Sequence, residues 1–175
     1  MRAFSLIRDG PMNSSNQSFE QLDKGLCFNE EQVIKLVKAI RERTSKLGLE
    51  PFGLNILIVE DQDFSRKLLH DLLARQLTYT CHAAKNATEA IELYATFAHD
   101  IVFLDIILPD YTGHEIATLI KSHDPSSYVI MVTSNNFVKD VEVAKRNNVQ
   151  GYITKPYNKN KIQAAIDSYI ASQTK

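Results

Sequence analysis

Five positions in the sequence bear groups that could do chemistry together: Glu60, Asp61, Asp105, Thr133 and Lys155. Each stands at or just past the end of a short apolar run. Glu60 and Asp61 follow Leu54 to Val59, Asp105 follows Ile101 to Leu104, Thr133 follows Tyr128 to Val132, and Lys155 comes just after Gly151 to Ile153. Three carboxylates forced into one crevice would raise one another's pKa unless a cation intervened. Hard oxygen donors with no His or Cys beside them suit Mg²⁺, which binds through one or two carboxylates and keeps several waters. A carboxylate can also act as a nucleophile and form an acyl phosphate. Lys155 would offer a point charge to incoming phosphoryl oxygens and Thr133 one hydroxyl donor, and phosphoryl transfer asks little more of a protein than such positioning. Any one of these residues alone reads as a helix cap or a solvated side chain. Their joint placement at strand ends gives them weight.

The elements that must position them are legible as alternating patterns. Five β-like runs appear at Leu54 to Val59, Tyr79 to Ala83, Ile101 to Leu104, Tyr128 to Val132 and Gly151 to Ile153, each followed by helical spacing. After the first run come Phe64, Leu68, Leu69, Leu72 and Leu73. After the second, an Asn86/Glu89 capping box leads into Ala87, Ala90, Ile91, Tyr94 and Ala95. The third helix shows Ile116, Leu119 and Ile120, the fourth Val138, Val141 and Ala144, and the fifth Ile162, Ala165, Ile166, Tyr169 and Ile170. Strands alternating with helices predict an α/β fold, a doubly wound (βα)₅ five-stranded parallel sheet of the flavodoxin-like kind, with helices on both faces. In such sheets the crevice for a ligand lies beyond the carboxyl ends of the strands, where strand order reverses.

The runs LIVEDQD, FLDIILPDYTG, VTS and ITKPY together resemble the signature segments of response-regulator receiver domains of two-component systems, over about Leu54 to Ile170. Four separated motifs occur in order, and Pro109 and Gly113 stand four and eight residues after Asp105, as the family pattern places them. The resemblance implies transfer from a phosphohistidine of a sensor histidine kinase or phosphotransfer protein to Asp105. It also implies Mg²⁺ held by Asp61, Asp105 and the Ile107 carbonyl, with Glu60 acting largely through water. Thr133 and Tyr152 would form the switch, changing position together, and Lys155–Pro156 would be a cis peptide. Glu60 replaces the commoner Asp of the acidic pair and preserves its charge. Ile107 and Asn135, two positions after Asp105 and Thr133, would tune lifetime: apolar Ile107 cannot activate a water and is expected to shield the phosphoryl group. An aspartate-nucleophile phosphatase of the haloacid dehalogenase type would want a second Asp where Ile107 stands. A pseudo-receiver that binds partners without phosphorylation is the alternative, opposed by the intact acidic residues, Thr133 and Lys155.

Upstream, residues 1–28 read as a flexible tail, 29–53 as an amphipathic helix and linker, and 54–172 as the receiver. Asn29 and Gln32 stand at capping-box spacing, and Gly48 is a plausible stop. Val33, Leu36, Val37, Ile40 and Leu47 form an apolar face, which predicts either docking on the chain's own receiver or a homodimer through residues 29–47. With 20 basic and 21 acidic residues, no field argues for nucleic acid or an anionic membrane. No apolar run approaches the roughly 20 residues of a membrane span. Cys27 and Cys81 form no C-x-x-C, so a cytoplasmic location is expected. The five histidines show no ligand spacing. Few residues follow the last helical pattern, so output is expected through a downstream protein target or a phosphorelay.

Overall fold

The computed structural model describes residues 25–46, 53–74, 79–134 and 148–173. Helix α1 (Glu30–Lys46) precedes β1 (Asn55–Val59), α2 (Asp63–Ala74), β2 (Thr80–Ala84), α3 (Ala87–Phe97), β3 (Ile101–Asp105), α4 (Gly113–His123), β4 (Tyr128–Thr133), β5 (Gly151–Thr154) and α5 (Lys159–Gln173). All strand pairs are parallel and the order is β2-β1-β3-β4-β5, so strand order reverses between β1 and β3. This is the flavodoxin-like sheet with an added N-terminal helix. Strand limits differ from the sequence reading by one residue, because Asp105, Thr133 and Thr154 still pair within the sheet. The helical pattern at Val138, Val141 and Ala144, and Asn135, Leu47 and Gly48, lie outside the described residues.

Side-chain alternation along the central strands makes two cores. Leu57, Val59, Val102 and Leu104 face Ile91, Tyr94, Ile116 and Ile120 of α3 and α4. Ile56, Ile58, Ile101 and Phe103 face Leu69 and Leu73 of α2 and Ile162 and Ile166 of α5. Continuous burial of β1, β3 and β4 on both faces is what parallel strands under helices require. Phe64 and Leu68 depart from the expected core stripe of α2. Phe64 is 80% exposed and Leu68 is also exposed, because the face buried against the sheet is centred on Leu69 and Leu73.

Helix α1 is laid on the α3 side of the first core. Asn29 Oδ1 accepts from Gln32 N at 2.8 Å and Gln32 Oε1 accepts from Asn29 N at 2.9 Å, a reciprocal capping box. Leu36 and Ala39 are buried, with Val33 and Ile40 packed beside them, while Ile34 and Val37 remain exposed. The apolar face offered for pairing between chains is thus largely used within the chain. Leu26 and Phe28, from the stretch read as a tail, are buried in the same cluster, and Phe28 meets His123 edge-on at 5.1 Å. At the other end, Arg43 donates to the carbonyls of Ala98 (3.0 Å) and His99 (3.1 Å), to Ser126 Oγ (2.8 Å) and to both oxygens of buried Asp124. Tyr94 Oη donates to the same carboxylate at 2.7 Å.

Candidate functional site

Sheet register alone brings the acidic positions together. Val59 is paired with Leu104, so Glu60 and Asp105 emerge side by side from β1 and β3. Asp105 is paired with Val132 and Thr133 with Thr154, so Thr133 and Lys155 emerge next to them, and Lys155 N donates to the Thr133 carbonyl at 2.7 Å. One carboxylate oxygen from each of Glu60, Asp61 and Asp105 lies within 4.8 Å of the others. Glu60 and Asp105 are buried and Asp61 is open to solvent. Lys155 Nζ stands 2.5 Å from Glu60 Oε2 and 2.6 Å from Asp105 Oδ2. Burial lifts the Glu60 carboxyl above its usual value, with Asp105 adding to the effect and Lys155 opposing it. Burial works against the Lys155 ammonium, but hydrogen bonds to Asp105 and Glu60 outweigh it and hold the lysine above its ordinary range. One ammonium against three carboxylates leaves negative charge to spare, and an all-oxygen donor set with one solvent-facing member fits a hard divalent ion.

The turns around the cluster are held by residues the sequence reading did not single out. Arg66, on the first turn of α2, donates to the carbonyls of Glu60 (2.9 Å) and Asp61 (3.1 Å) and pairs with Asp63. Tyr157 Oη donates to the Ser65 carbonyl at 2.8 Å, tying the segment after Lys155 to α2. Asp110 accepts from Ala87 N (2.9 Å), Thr88 N (3.1 Å) and Tyr111 N (3.0 Å), so the loop after Asp105 caps α3. Burial opposes its charge, yet these backbone donors hold Asp110 below the usual carboxylate range. Asn86 accepts from Glu89 N as expected, while the Glu89 side chain accepts from Lys85 N, so that box closes differently. A complete capping box, Thr112 with Glu115, starts α4. A Cβ at Gly113 would run into the Asp105 carbonyl, which accounts for the glycine eight residues on.

Ile107 N–H donates to Asp105 Oδ1 at 3.2 Å, and its side chain is 62% exposed rather than packed against the loop. Thr133 is buried at the end of β4. Tyr152 stands opposite Met131 on β5, half-buried against the first core. Lys155–Pro156 is cis. Of the histidines, His99 is fully buried and its Nε2 lies 2.9 Å from His82 Nδ1, away from the acidic cluster.

The profile of the response regulator receiver domain matches residues 56–167, and the chain belongs to that family. It is a receiver domain with the acidic triad Glu60, Asp61 and Asp105 at its phosphorylation site, similar to CheY proteins and with a helix before the receiver. Chemotaxis protein CheY of Halobacterium salinarum is 32% identical over 117 residues, 67% of this chain and 97% of that protein. Among solved structures, the signal receiver domain of an HD domain-containing protein from Pseudomonas fluorescens is 28% identical with a TM-score of 0.65. That match covers 70% of this chain and 98% of the other. The CheX-CheY-BeF3-Mg²⁺ complex from Borrelia burgdorferi is 25% identical, with a TM-score of 0.64, over 68% of this chain and 90% of the other. The family is not one of classical enzymes; it belongs to two-component signal transduction. Among the described residues, no helix is long and apolar enough to cross a membrane.

Proposed function

We propose that this receiver accepts a phosphoryl group on Asp105 from the phosphohistidine of a sensor kinase or phosphotransfer protein, in a Mg²⁺-dependent reaction. The observation that bears most weight is the position of the Asp105 carboxylate: buried, beside Glu60 and Asp61, with Oδ2 already in contact with Lys155. Asp105 attacks phosphorus in line, a P–O bond forms as the P–N bond breaks, and the electron pair leaves with the imidazole. Lys155 exchanges its contact with Asp105 for a phosphoryl oxygen, and the Thr133 hydroxyl donates to another. Asp61, Asp105 and the Ile107 carbonyl are the proposed ligands, with Glu60 acting through water. Bound there, Mg²⁺ would neutralise charge on the phosphoryl oxygens. The Mg²⁺ in the 25% identical Borrelia burgdorferi complex supports the choice of ion.

Exposed Phe64 and Leu68 on the helix that follows Glu60 and Asp61 offer the donor protein an apolar foothold. Thr133 and Tyr152 would pass the phosphorylated state to a downstream protein target, in a cytoplasmic pathway. Residues 54–172 form the receiver in this reading, and pairing between chains through residues 29–47 would have Ile34 and Val37 as exposed apolar residues among those described. The test is incubation with acetyl phosphate and Mg²⁺ followed by intact mass. Wild type gains one phosphoryl group and Asp105→Asn none; equal labelling of both would refute Asp105 as acceptor, and no labelling of wild type would leave a phosphorylation-independent binding module.

A further inference from the structure

We infer that Arg66 is a positioning residue for the divalent-ion site, acting on the backbone of the acidic turn rather than on the ion; the inference rests on the Mg²⁺-dependent reading above. Two of the three triad carboxylates are consecutive in the chain, so their relative placement depends on the peptide planes on either side of Asp61. The main chain after β1 is fixed on one side by Glu60 N, which donates to the Ala84 carbonyl at 3.0 Å. Its next two carbonyls, of Glu60 and Asp61, point away from the strand ladder and converge on a single guanidinium nitrogen, Arg66 Nη1, at 2.9 and 3.1 Å. The other terminal nitrogen of the same fork, Nη2, pairs with Asp63. Arg66 N in turn donates to the Gln62 carbonyl at 2.9 Å, so the residue that clamps the turn is also rooted in the helix that the turn begins. The side chain is four-fifths buried although its charge partner Asp63 is almost fully exposed, so the two carbonyls of the turn, rather than the ion pair, account for its place. A planar fork suits this task, because it serves the two carbonyls from Nη1 and the carboxylate from Nη2, whereas an ammonium would have to meet all three from a single point.

Charge and geometry predict opposite signs here. A guanidinium near a cation site repels the cation, so if Arg66 acted by charge alone its removal would strengthen metal binding. If it fixes the acidic turn, removal weakens binding, because partners that orient metal ligands are commonly worth 10- to 100-fold in affinity. The experiment is Mn²⁺ titration of the full chain followed by electron paramagnetic resonance, with Mg²⁺ as competitor, on wild type, Arg66→Gln, Arg66→Lys and Asp63→Asn. Arg66→Gln should bind at least about 10-fold more weakly, Arg66→Lys should fall between it and wild type, and Asp63→Asn should stay near wild type. Acetyl-phosphate labelling of Arg66→Gln should recover toward the wild-type rate at saturating Mg²⁺, which a lost acceptor or a misfolded chain would not do. Unchanged or tighter Mn²⁺ binding in Arg66→Gln overturns the inference, as does a loss of affinity matched by Asp63→Asn. If Arg66→Gln does not fold, Arg66→Lys binding as tightly as wild type overturns it. Wild type that binds no Mn²⁺ would instead overturn the metal-dependent reading itself.

Discussion

Replacing Arg43 with methionine keeps the apolar stem and removes the guanidinium that fastens α1 to the receiver. The arginine side chain is 13% exposed and that of Asp124 is 2% exposed, so this is a buried pair, not a surface one. Breaking such a pair from one side costs about 3–5 kcal/mol, because the remaining charge is stranded. Asp124 would keep Ser126 Oγ at 2.6 Å and Tyr94 Oη at 2.7 Å, which places the loss at the low end, about 3 kcal/mol. Against a total of roughly 5–15 kcal/mol this is a large fraction. At about 2–4 °C per kcal/mol for a chain of this size, Tm should fall by about 6–12 °C. Urea unfolding of the full chain, with Asp124→Asn and the double variant closing a cycle, should give a coupling of about 1–3 kcal/mol. The pH profile adds a signature. Burial opposes ionisation of Asp124, but Ser126, Arg43 and Tyr94 together hold its carboxyl below the usual value. A depressed carboxyl stabilises the fold above its unfolded value and loses that contribution as pH falls through the folded one. Without Arg43 the folded value rises, so acid unfolding of Arg43→Met should begin at higher pH. A loss below about 1 kcal/mol, or additive single changes, would refute the clamp.

Burial, with His82 and Arg43 adding to it, depresses His99 from 6.5 to about 3, so the folded chain keeps it neutral while the unfolded chain protonates it. Stability from this group is full above about pH 6.5 and declines toward pH 3, by an amount on the order of 5 kcal/mol. His99→Leu should flatten that part of the wild-type profile in chemical denaturation, and parallel profiles would refute the assignment. Ile107→Asn should lose its phosphoryl group faster once the donor is removed, because an amide can hold a water where an exposed isoleucine cannot; an equal or slower rate counts against shielding. Asp110→Ala should cost about 1 kcal/mol through the lost cap on α3 and should speed hydrogen exchange at the Ala87 and Thr88 amides; protection of those amides equal to wild type would show the cap to be idle.

The sheet and its polar rim were legible because local signals and the global fold agree. Alternating apolar runs gave the strands, and the residue after each run gave Glu60, Asp105 and, one step later, Lys155. The helix at Asn29 was legible from one capping box. Its destination was not, since an apolar stripe says that a surface is covered without saying by what. Phe64 and Leu68 misled because they fit helical spacing while flanking the stripe that meets the sheet. Arg66, Asp110 and Tyr157 act on backbone atoms, and the last two on distant segments, so side-chain patterns hold no trace of them. The contact of buried His99 with half-buried His82 is illegible for a related reason: the residues are 17 apart and meet only through the pairing of β2, β1 and β3.

The first core has an implication for exchanging parts between relatives. Likeness to the family begins at residue 56, yet the cluster that includes Ile91, Tyr94 and Ala95 also includes Leu26, Phe28, Leu36 and Ala39. A chimera spliced at the family limits would transplant α3 with its outer face bare, and that face would then seek another apolar surface, in a neighbouring molecule if none were supplied in the same chain. Grafts that include residues from Leu26 onward, or that recode the exposed side of α3 with polar residues, are the ones expected to stay monomeric in solution, and light scattering on the paired grafts would separate the two outcomes.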